Sequence, residues 1–71
     1  MYLDESKRID FTVPKTLEIA VQAIDNSFYH NDDLGFALLR EDVEVLTKQS
    51  YINGNITSSQ LNIIFSRYGL R

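Results

Sequence analysis

Residues 14–29 read PKTLEIAVQAIDNSFY, and this segment has the most regular helical pattern in the chain. Its apolar residues recur at intervals of three and four, the spacing of one face of an α-helix; they are Leu17, Ala20, Val21, Ala23, Ile24 and Phe28. Pro14 suits the first position of a helix, where its missing N–H would have no partner. The pattern predicts a helix over 14–29 whose apolar face needs other elements to cover it.

A second helix is predicted over 33–49, after the polar break His30–Asp33, which contains good N-cap residues. Its main apolar stripe is Phe36, Leu39, Val43 and Leu46, and a second stripe about 140° away consists of Leu34, Leu38 and Val45. A helix that is apolar on two sides is usually packed by neighbours on both. We therefore expect a central helix, with a break near residues 40–42 into two shorter helices as the alternative.

The last third of the chain carries clear start and stop signals for a third helix. Thr57 and Gln60 have the spacing of a capping box, and Ile56 and Leu61 occupy the positions of a hydrophobic staple around it. Gly69 suits the end of a helix because glycine adopts positive φ freely. These signals predict a helix over 58–68.

The segment before the first helix is predicted to be an extended arm. Residues 9–13 alternate strictly between apolar and polar, which is typical of a half-buried extended segment. A single strand is not stable alone, so we expect Ile9, Phe11 and Val13 to lie on the core. The predicted fold is an all-α, small three-helix bundle, with the arm at 1–13 and the three-helix domain at 14–71 forming one domain.

The predicted core draws on all three helices and the arm. It consists of Phe11, Leu17, Ala20, Val21, Ile24, Phe28, Phe36, Leu39, Val43, Leu46, Ile56, Leu61, Ile64, Phe65 and Tyr68. A chain of 71 residues buries only about 60% of the surface that it exposes when unfolded. We therefore expect marginal stability, which self-association would increase.

Composition excludes several classes of protein. The chain has no cysteine and one histidine, which excludes a disulfide scaffold, a thiolate nucleophile and Cys-based metal sites. No apolar run is long enough to span a bilayer and no signal peptide is recognised, so a cytoplasmic protein is expected. Residues 1–44 carry four basic and ten acidic residues, a net charge of −6, whereas 45–71 carry +3. The overall acidity disfavours non-specific nucleic-acid binding.

Residues 49–60 look like the frame of an EF-hand loop, with Gly54 at the sharp turn and Ile56 at the apolar position. The ligand positions, however, hold Gln49, Tyr51, Asn53 and Gln60 in place of the carboxylates that Ca²⁺ requires. No calcium site, and no other metal or cofactor, is expected.

Catalysis has little support in the sequence. Asp25, His30, Asp32 and Asp33 lie close together, and a carboxylate–histidine pair is a possible acid–base unit. Neither a serine-centred elbow nor a glycine-rich phosphate loop accompanies them. We expect the protein not to be an enzyme.

A helix-turn-helix regulator is the alternative function. The helix at 58–68 would read DNA with Ser59, Asn62, Ile63 and Ser66, while Arg67 and Arg71 would contact phosphates. The expected link of about eight residues to the preceding helix exceeds the three to four of the motif. Three basic residues in the last 27 positions also make nucleic acid an improbable partner.

The leading hypothesis is a non-catalytic protein–protein interaction module that binds another protein or a second copy of itself. Apolar and aromatic residues at termini, at helix breaks and on the outer side of the last helix suggest a contact surface. Small acidic helical proteins of bacteria and phages include inhibitors, immunity proteins and adaptors, a comparison at the level of class alone. The candidate surface is Tyr2, Leu3, Tyr29, Ser59, Asn62, Ile63, Ser66, Arg67 and Leu70.

Overall fold

The structure is a computed structural model that describes residues 1–70 and contains three α-helices. Helix α1 is Lys15–Tyr29, α2 is Asp33–Ile52 and α3 is Ser58–Tyr68. Residues 1–70 contain no β-strand. The predicted all-α three-helix bundle is confirmed, whereas the predicted phosphate contact of Arg71 lies outside the described residues.

The predicted helix ends agree with the structure except at the start of α1 and the end of α2. Pro14 is the N-cap of α1, one residue before its first helical position. Helix α2 is continuous, so the alternative break near 40–42 is wrong, and it extends three residues past the predicted end to Ile52. Ser50 is buried, and its hydroxyl donates to the carbonyl of Leu46 at 2.8 Å. The hydroxyl of Ser50 is therefore satisfied within the helix. The helix ends at a Schellman turn, in which Gly54 has a φ of 77° and the Asn55 amide donates to the Ser50 carbonyl at 2.8 Å.

The caps of α3 are those that the sequence predicts. The Gln60 amide donates to Thr57 Oγ1 at 3.2 Å, and the Thr57 amide donates to Gln60 Oε1 at 2.9 Å. At the other end, Gly69 has a φ of 65°. Arg40 of α2 donates to the Gly69 carbonyl at 2.6 Å and to the Tyr68 carbonyl at 3.3 Å, so a cation stabilises this helix end.

The core is smaller than predicted and includes polar residues. The buried apolar residues are Leu17, Ala20, Val21, Ile24, Phe36, Val43, Ile56, Ile64, Tyr68 and Leu70. Six predicted core residues are only partly buried against this cluster: Phe11, Phe28, Leu39, Leu46, Leu61 and Phe65. Thr47 and Ser50 are buried although the sequence did not predict it, and the Thr47 hydroxyl donates to the Val43 carbonyl at 2.6 Å.

The arm runs along the bundle without regular structure. Ile9, Phe11 and Val13 are half-buried and pack against the core, as predicted. Near its start, the Asp4 amide donates to the Arg67 carbonyl at 2.7 Å. The arm is therefore held by backbone bonding as well as by apolar packing.

Candidate interaction surface

Helix α2 exposes a straight line of large aliphatic side chains. Leu34, Leu38, Val45 and Ile52 are 73%, 62%, 52% and 78% exposed. At about 100° per residue all four lie within about 20° of the direction of Val45. Since a helix rises about 1.5 Å per residue, the line is about 27 Å long. We call these four residues the α2 outer stripe.

The opposite side of α2 faces the bundle. Phe36, Val43, Thr47 and Ser50 are its buried residues, and α2 contacts both α1 and α3. The prediction of a central helix is confirmed in this sense, but the expectation that neighbours cover both apolar stripes is wrong. With only two other helices, both of which contact α2 on its buried side, none covers the outer stripe.

Charged and polar residues flank the α2 outer stripe asymmetrically. Glu41 and Lys48 lie about 40° and 60° to one side of Val45, and Asp42 and Gln49 lie at similar angles on the other side. Lys48 Nζ is 3.4 Å from Glu44 Oε2 on its own helix. The Glu41 side chain is exposed and forms no ion pair within residues 1–70. On this flank Glu41 is an acid available to a partner. Lys48 is paired with Glu44 and lies 6.0 Å from the centre of the Phe65 ring, so it would exchange partners to bind another chain.

The surface residues suggested by the sequence lie on several elements. Tyr2 is exposed on the arm and Tyr29 at the end of α1, where its hydroxyl donates to Glu5 at 2.8 Å. Leu3 and Ile63 are half-buried. Along α3 the exposed residues of the set are Ser59, Asn62 and Ser66. None of the predicted surface residues belongs to the α2 outer stripe.

The prediction that Leu70 belongs to the contact surface is wrong, because Leu70 is buried. It is only 8% exposed, although we expected it to trail past the helix end. Its amide donates to the Phe65 carbonyl at 2.8 Å, the bond of a Schellman motif. The left-handed turn at Gly69 directs the chain back, and the Leu70 side chain joins the core.

Arg67 is also placed differently from the predicted phosphate contact. Its side chain is 12% exposed, and its Nη2 lies 3.1 Å from Asp25 Oδ2. The guanidinium also donates to the Lys7 carbonyl at 3.0 Å and to the Tyr68 hydroxyl at 3.2 Å. Burial disfavours its charge, but the hydrogen bonds with Tyr68 and Asp25 outweigh this effect and raise the pKa of Arg67.

Tyr68 completes this buried polar cluster. Its hydroxyl donates to Asp25 Oδ1 at 2.7 Å. Burial raises the pKa of Tyr68 well above 10.0, and the hydrogen bond to Asp25 raises it further. Asp25, Arg67 and Tyr68 together connect α1, α3 and the arm. The cluster was not predictable from the sequence, because Asp25 lies 42 positions from Arg67 and 43 from Tyr68.

A groove of about 600 Å³ runs beside this cluster, between the arm and α1. Its walls are both apolar and charged, and include Arg8, Phe11, Val21, Asp25 and Arg67. Asp25 and Arg67 bind each other at 3.1 Å. Asp25 and Arg67 therefore neutralise each other, and the bond from Arg67 to the Lys7 carbonyl at 3.0 Å holds the arm in place.

The four residues considered for acid–base chemistry have separate structural contacts. His30 Nδ1 lies 2.8 Å from the Asn26 carbonyl, and Asp32 Oδ1 accepts the Gly35 amide at 2.9 Å as the N-cap of α2. Asp33 lies exposed in the first turn of α2, while Asp25 belongs to the cluster with Arg67. Nowhere in residues 1–70 do three or more His, Cys, Asp or Glu side chains form a group that could hold a metal ion.

The connection between α2 and α3 is shorter than expected. It comprises residues 53–57, five residues rather than about eight, because α2 extends to Ile52. This length approaches the three to four residues of a helix-turn-helix. Arg67, however, faces the bundle interior rather than the exposed side of α3 where Ser59, Asn62 and Ser66 lie.

The apolar pattern that forms the α2 outer stripe is visible in the sequence, but it predicted a covered face of the helix rather than an exposed one. Leu34, Leu38 and Val45 were recognised as a second apolar stripe, but were assigned to the interior. Ile52 was missed because the predicted helix ended at residue 49. The seven-residue spacing of Leu38, Val45 and Ile52, which keeps three aliphatic residues on one side of a helix, was the signal available.

No family model matches the chain, and no curated protein or solved structure shows a significant match to it. Across residues 1–70, none of the helices combines the length and apolar character that a membrane crossing requires.

Proposed function

We propose that the protein is a non-catalytic protein–protein interaction module and that the α2 outer stripe is its contact surface. The observation that carries this proposal is the alignment of Leu34, Leu38, Val45 and Ile52, each more than half exposed, along one face of α2. Single exposed aliphatic residues are common on protein surfaces. Four that lie along one side of a helix form a surface suited to packing against a partner.

The energetic reason for a partner is the apolar surface that the bundle leaves in water. Covering one large aliphatic side chain contributes about 1.5–3 kcal/mol, so covering four contributes several kcal/mol before the costs of association. The bundle itself does not need this face, because the opposite side of α2 already supplies Phe36 and Val43 to the core.

The contacts of the ionisable residues support a non-catalytic role. Asp25, His30 and Asp32 each bind a neighbouring group of the fold. The cysteine-free sequence is compatible with the reducing cytoplasm, where the proposal places the protein. The DNA-binding alternative lacks comparable support, because Arg67 is bound within the bundle.

The test compares two exposed aliphatic positions. Leu38→Asp places a charge within the α2 outer stripe, and Ile19→Asp places one at an exposed residue of α1 that is outside it. We expect both variants to fold, since exposed substitutions usually change stability by less than about 0.5 kcal/mol. Circular dichroism checks this.

Association is then measured by sedimentation of the purified chain and by chemical cross-linking in the cells that produce it. Leu38→Asp should abolish the complexes that the wild type forms, and Ile19→Asp should retain them. Complexes that survive Leu38→Asp, or a wild type that cross-links to no protein, would refute the proposal.

A further inference from the structure

We infer that the partner of the α2 outer stripe is a second copy of the same chain, paired antiparallel about a two-fold axis beside Val45. This inference rests on the proposed function and specifies the occupant of that surface. A two-fold interface is self-complementary, since each residue meets the residue related to it by the axis. Leu38, Val45 and Ile52 of the stripe and the flanking charges meet this requirement, whereas Leu34 lies beyond the end of the partner's α2.

The first argument is the spacing of the aliphatic residues. Leu38 and Ile52 lie seven residues before and after Val45. In an antiparallel pair centred on Val45, Leu38 of one copy lies beside Ile52 of the other, and the two Val45 side chains meet at the axis. Each aliphatic residue of this seven-residue repeat therefore has an aliphatic neighbour, as in paired helices.

The second argument is the position of the charges. An antiparallel two-fold brings the same flank of both helices together, so Glu41 of one copy lies opposite Lys48 of the other, and this contact occurs twice. A parallel pair would bring opposite flanks together and place Glu41 near Asp42 of the other copy, a repulsive contact. The charges thus favour the antiparallel arrangement.

The length of the surface sets the expected strength. In this register the two α2 helices face each other over residues 38–52, about 21 Å. The area that one helix face of this length buries is smaller than the roughly 800 Å² per partner of a standard interface. We therefore expect a reversible dimer that dissociates on dilution, which sedimentation equilibrium over a concentration series detects.

Disulfide cross-linking tests the geometry, because the chain has no cysteine of its own. Val45→Cys should form a covalent dimer under mild oxidation. Leu38→Cys and Ile52→Cys should each fail to do so alone but cross-link when mixed, since a disulfide requires Cα atoms within about 7 Å. Ile19→Cys on α1 is the matched control and should stay monomeric. A covalent dimer of Leu38→Cys alone would indicate parallel pairing and overturn the inference.

Charge exchange tests the register independently. Glu41→Lys should weaken the dimer roughly three- to tenfold, since two exposed ion pairs become repulsive, and the double exchange Glu41→Lys with Lys48→Glu should restore it. In a parallel dimer, Glu41→Lys would strengthen association by removing the repulsion from Asp42. Strengthening, or a double variant no better than the single one, would refute the register.

Different results would overturn the proposed interaction module and the proposed pairing of two copies. A wild-type chain that is monomeric at every concentration, but whose complex with a different protein is lost in Leu38→Asp, would overturn self-pairing and leave the interaction module intact. Complexes unaffected by Leu38→Asp would overturn both.

Discussion

The hydroxyl of Tyr68 on α3 donates a 2.7 Å hydrogen bond to Asp25 on α1, between residues 43 positions apart in the sequence. The same carboxylate accepts Arg67 Nη2 at 3.1 Å through its other oxygen. Both oxygens of Asp25 are thus bound to the C-terminal helix. Because Arg67 also binds the Lys7 carbonyl at 3.0 Å, this one carboxylate stabilises the packing of both α3 and the arm.

Tyr68→Phe should destabilise the fold while leaving the ring packing unchanged. It removes a hydrogen bond to a charged acceptor, which is worth about 1.5–3 kcal/mol. Urea unfolding measures the loss. The matched control is Tyr51→Phe at an exposed tyrosine, where we expect no significant change. Equal unfolding midpoints for wild type and Tyr68→Phe would show that the bond contributes nothing.

The raised pKa of Tyr68 predicts a loss of stability in alkali. The folded state holds the phenol proton more tightly than the unfolded state, in which the pKa is close to 10.0. The stabilisation is therefore complete below about pH 10 and decreases as the pH rises above it. The free energy of unfolding measured between neutral and alkaline pH should fall more steeply for wild type than for Tyr68→Phe.

Tyr29 serves as an internal reference in that experiment. Its hydrogen bond to Glu5 also raises its pKa, but it is present in both proteins and contributes equally. Parallel pH curves for the two proteins would mean that Tyr68 ionises as easily in the folded state as in the unfolded state.

Thr57→Ala should destabilise α3 by removing half of the capping box. The Thr57 hydroxyl accepts the Gln60 amide at 3.2 Å, and loss of such a cap costs about 1 kcal/mol. Thr57→Ser keeps the acceptor and should retain most of the stability, whereas Ser58→Ala at the adjacent exposed position should have little effect. Thermal unfolding followed by circular dichroism checks all three variants. An equal loss for Thr57→Ser and Thr57→Ala would contradict the cap.

The sequence predicts those features of the fold that depend on neighbouring residues. The capping box joins Thr57 to Gln60, and the turn at Gly69 joins Leu70 to Phe65. Each involves residues at most five positions apart, so each can be recognised from the sequence. The end of α2 was placed three residues too early, because the turn signal at Gly54 marks where the chain reverses without marking the last helical residue before it.

Features that depend on tertiary packing were not predictable in the same way. The contact between Asp25 and Arg67 requires α1 and α3 to meet at one particular rotation. Exposure of Leu34, Leu38 and Val45 depends on which side of α2 the other helices occupy, since their apolar pattern suits either an interior face or a docking face. The burial of Leu70 follows from a turn that was predicted, but the direction of the chain after the turn was not.

A comparison of two glycines tests whether Tyr2 is docked on the end of α3. Gly54 and Gly69 both have positive φ, 77° and 65°, so alanine at either position costs about 1–2 kcal/mol in backbone strain. A Cβ added at Gly54 meets no atom within 4 Å, whereas one at Gly69 lies 3.2 Å from Tyr2 Cδ1. Gly69→Ala should therefore reduce the free energy of unfolding more than Gly54→Ala.

The same comparison in a Tyr2→Ala background isolates the contact. With the ring removed, both alanine substitutions should cost the same, because only backbone strain remains. Urea unfolding of the wild type, Gly69→Ala, Tyr2→Ala and the double variant gives the coupling between Gly69 and Tyr2 directly. If Gly69→Ala costs no more than Gly54→Ala with Tyr2 present, the ring moves away without loss and the N-terminus does not stabilise the helix end.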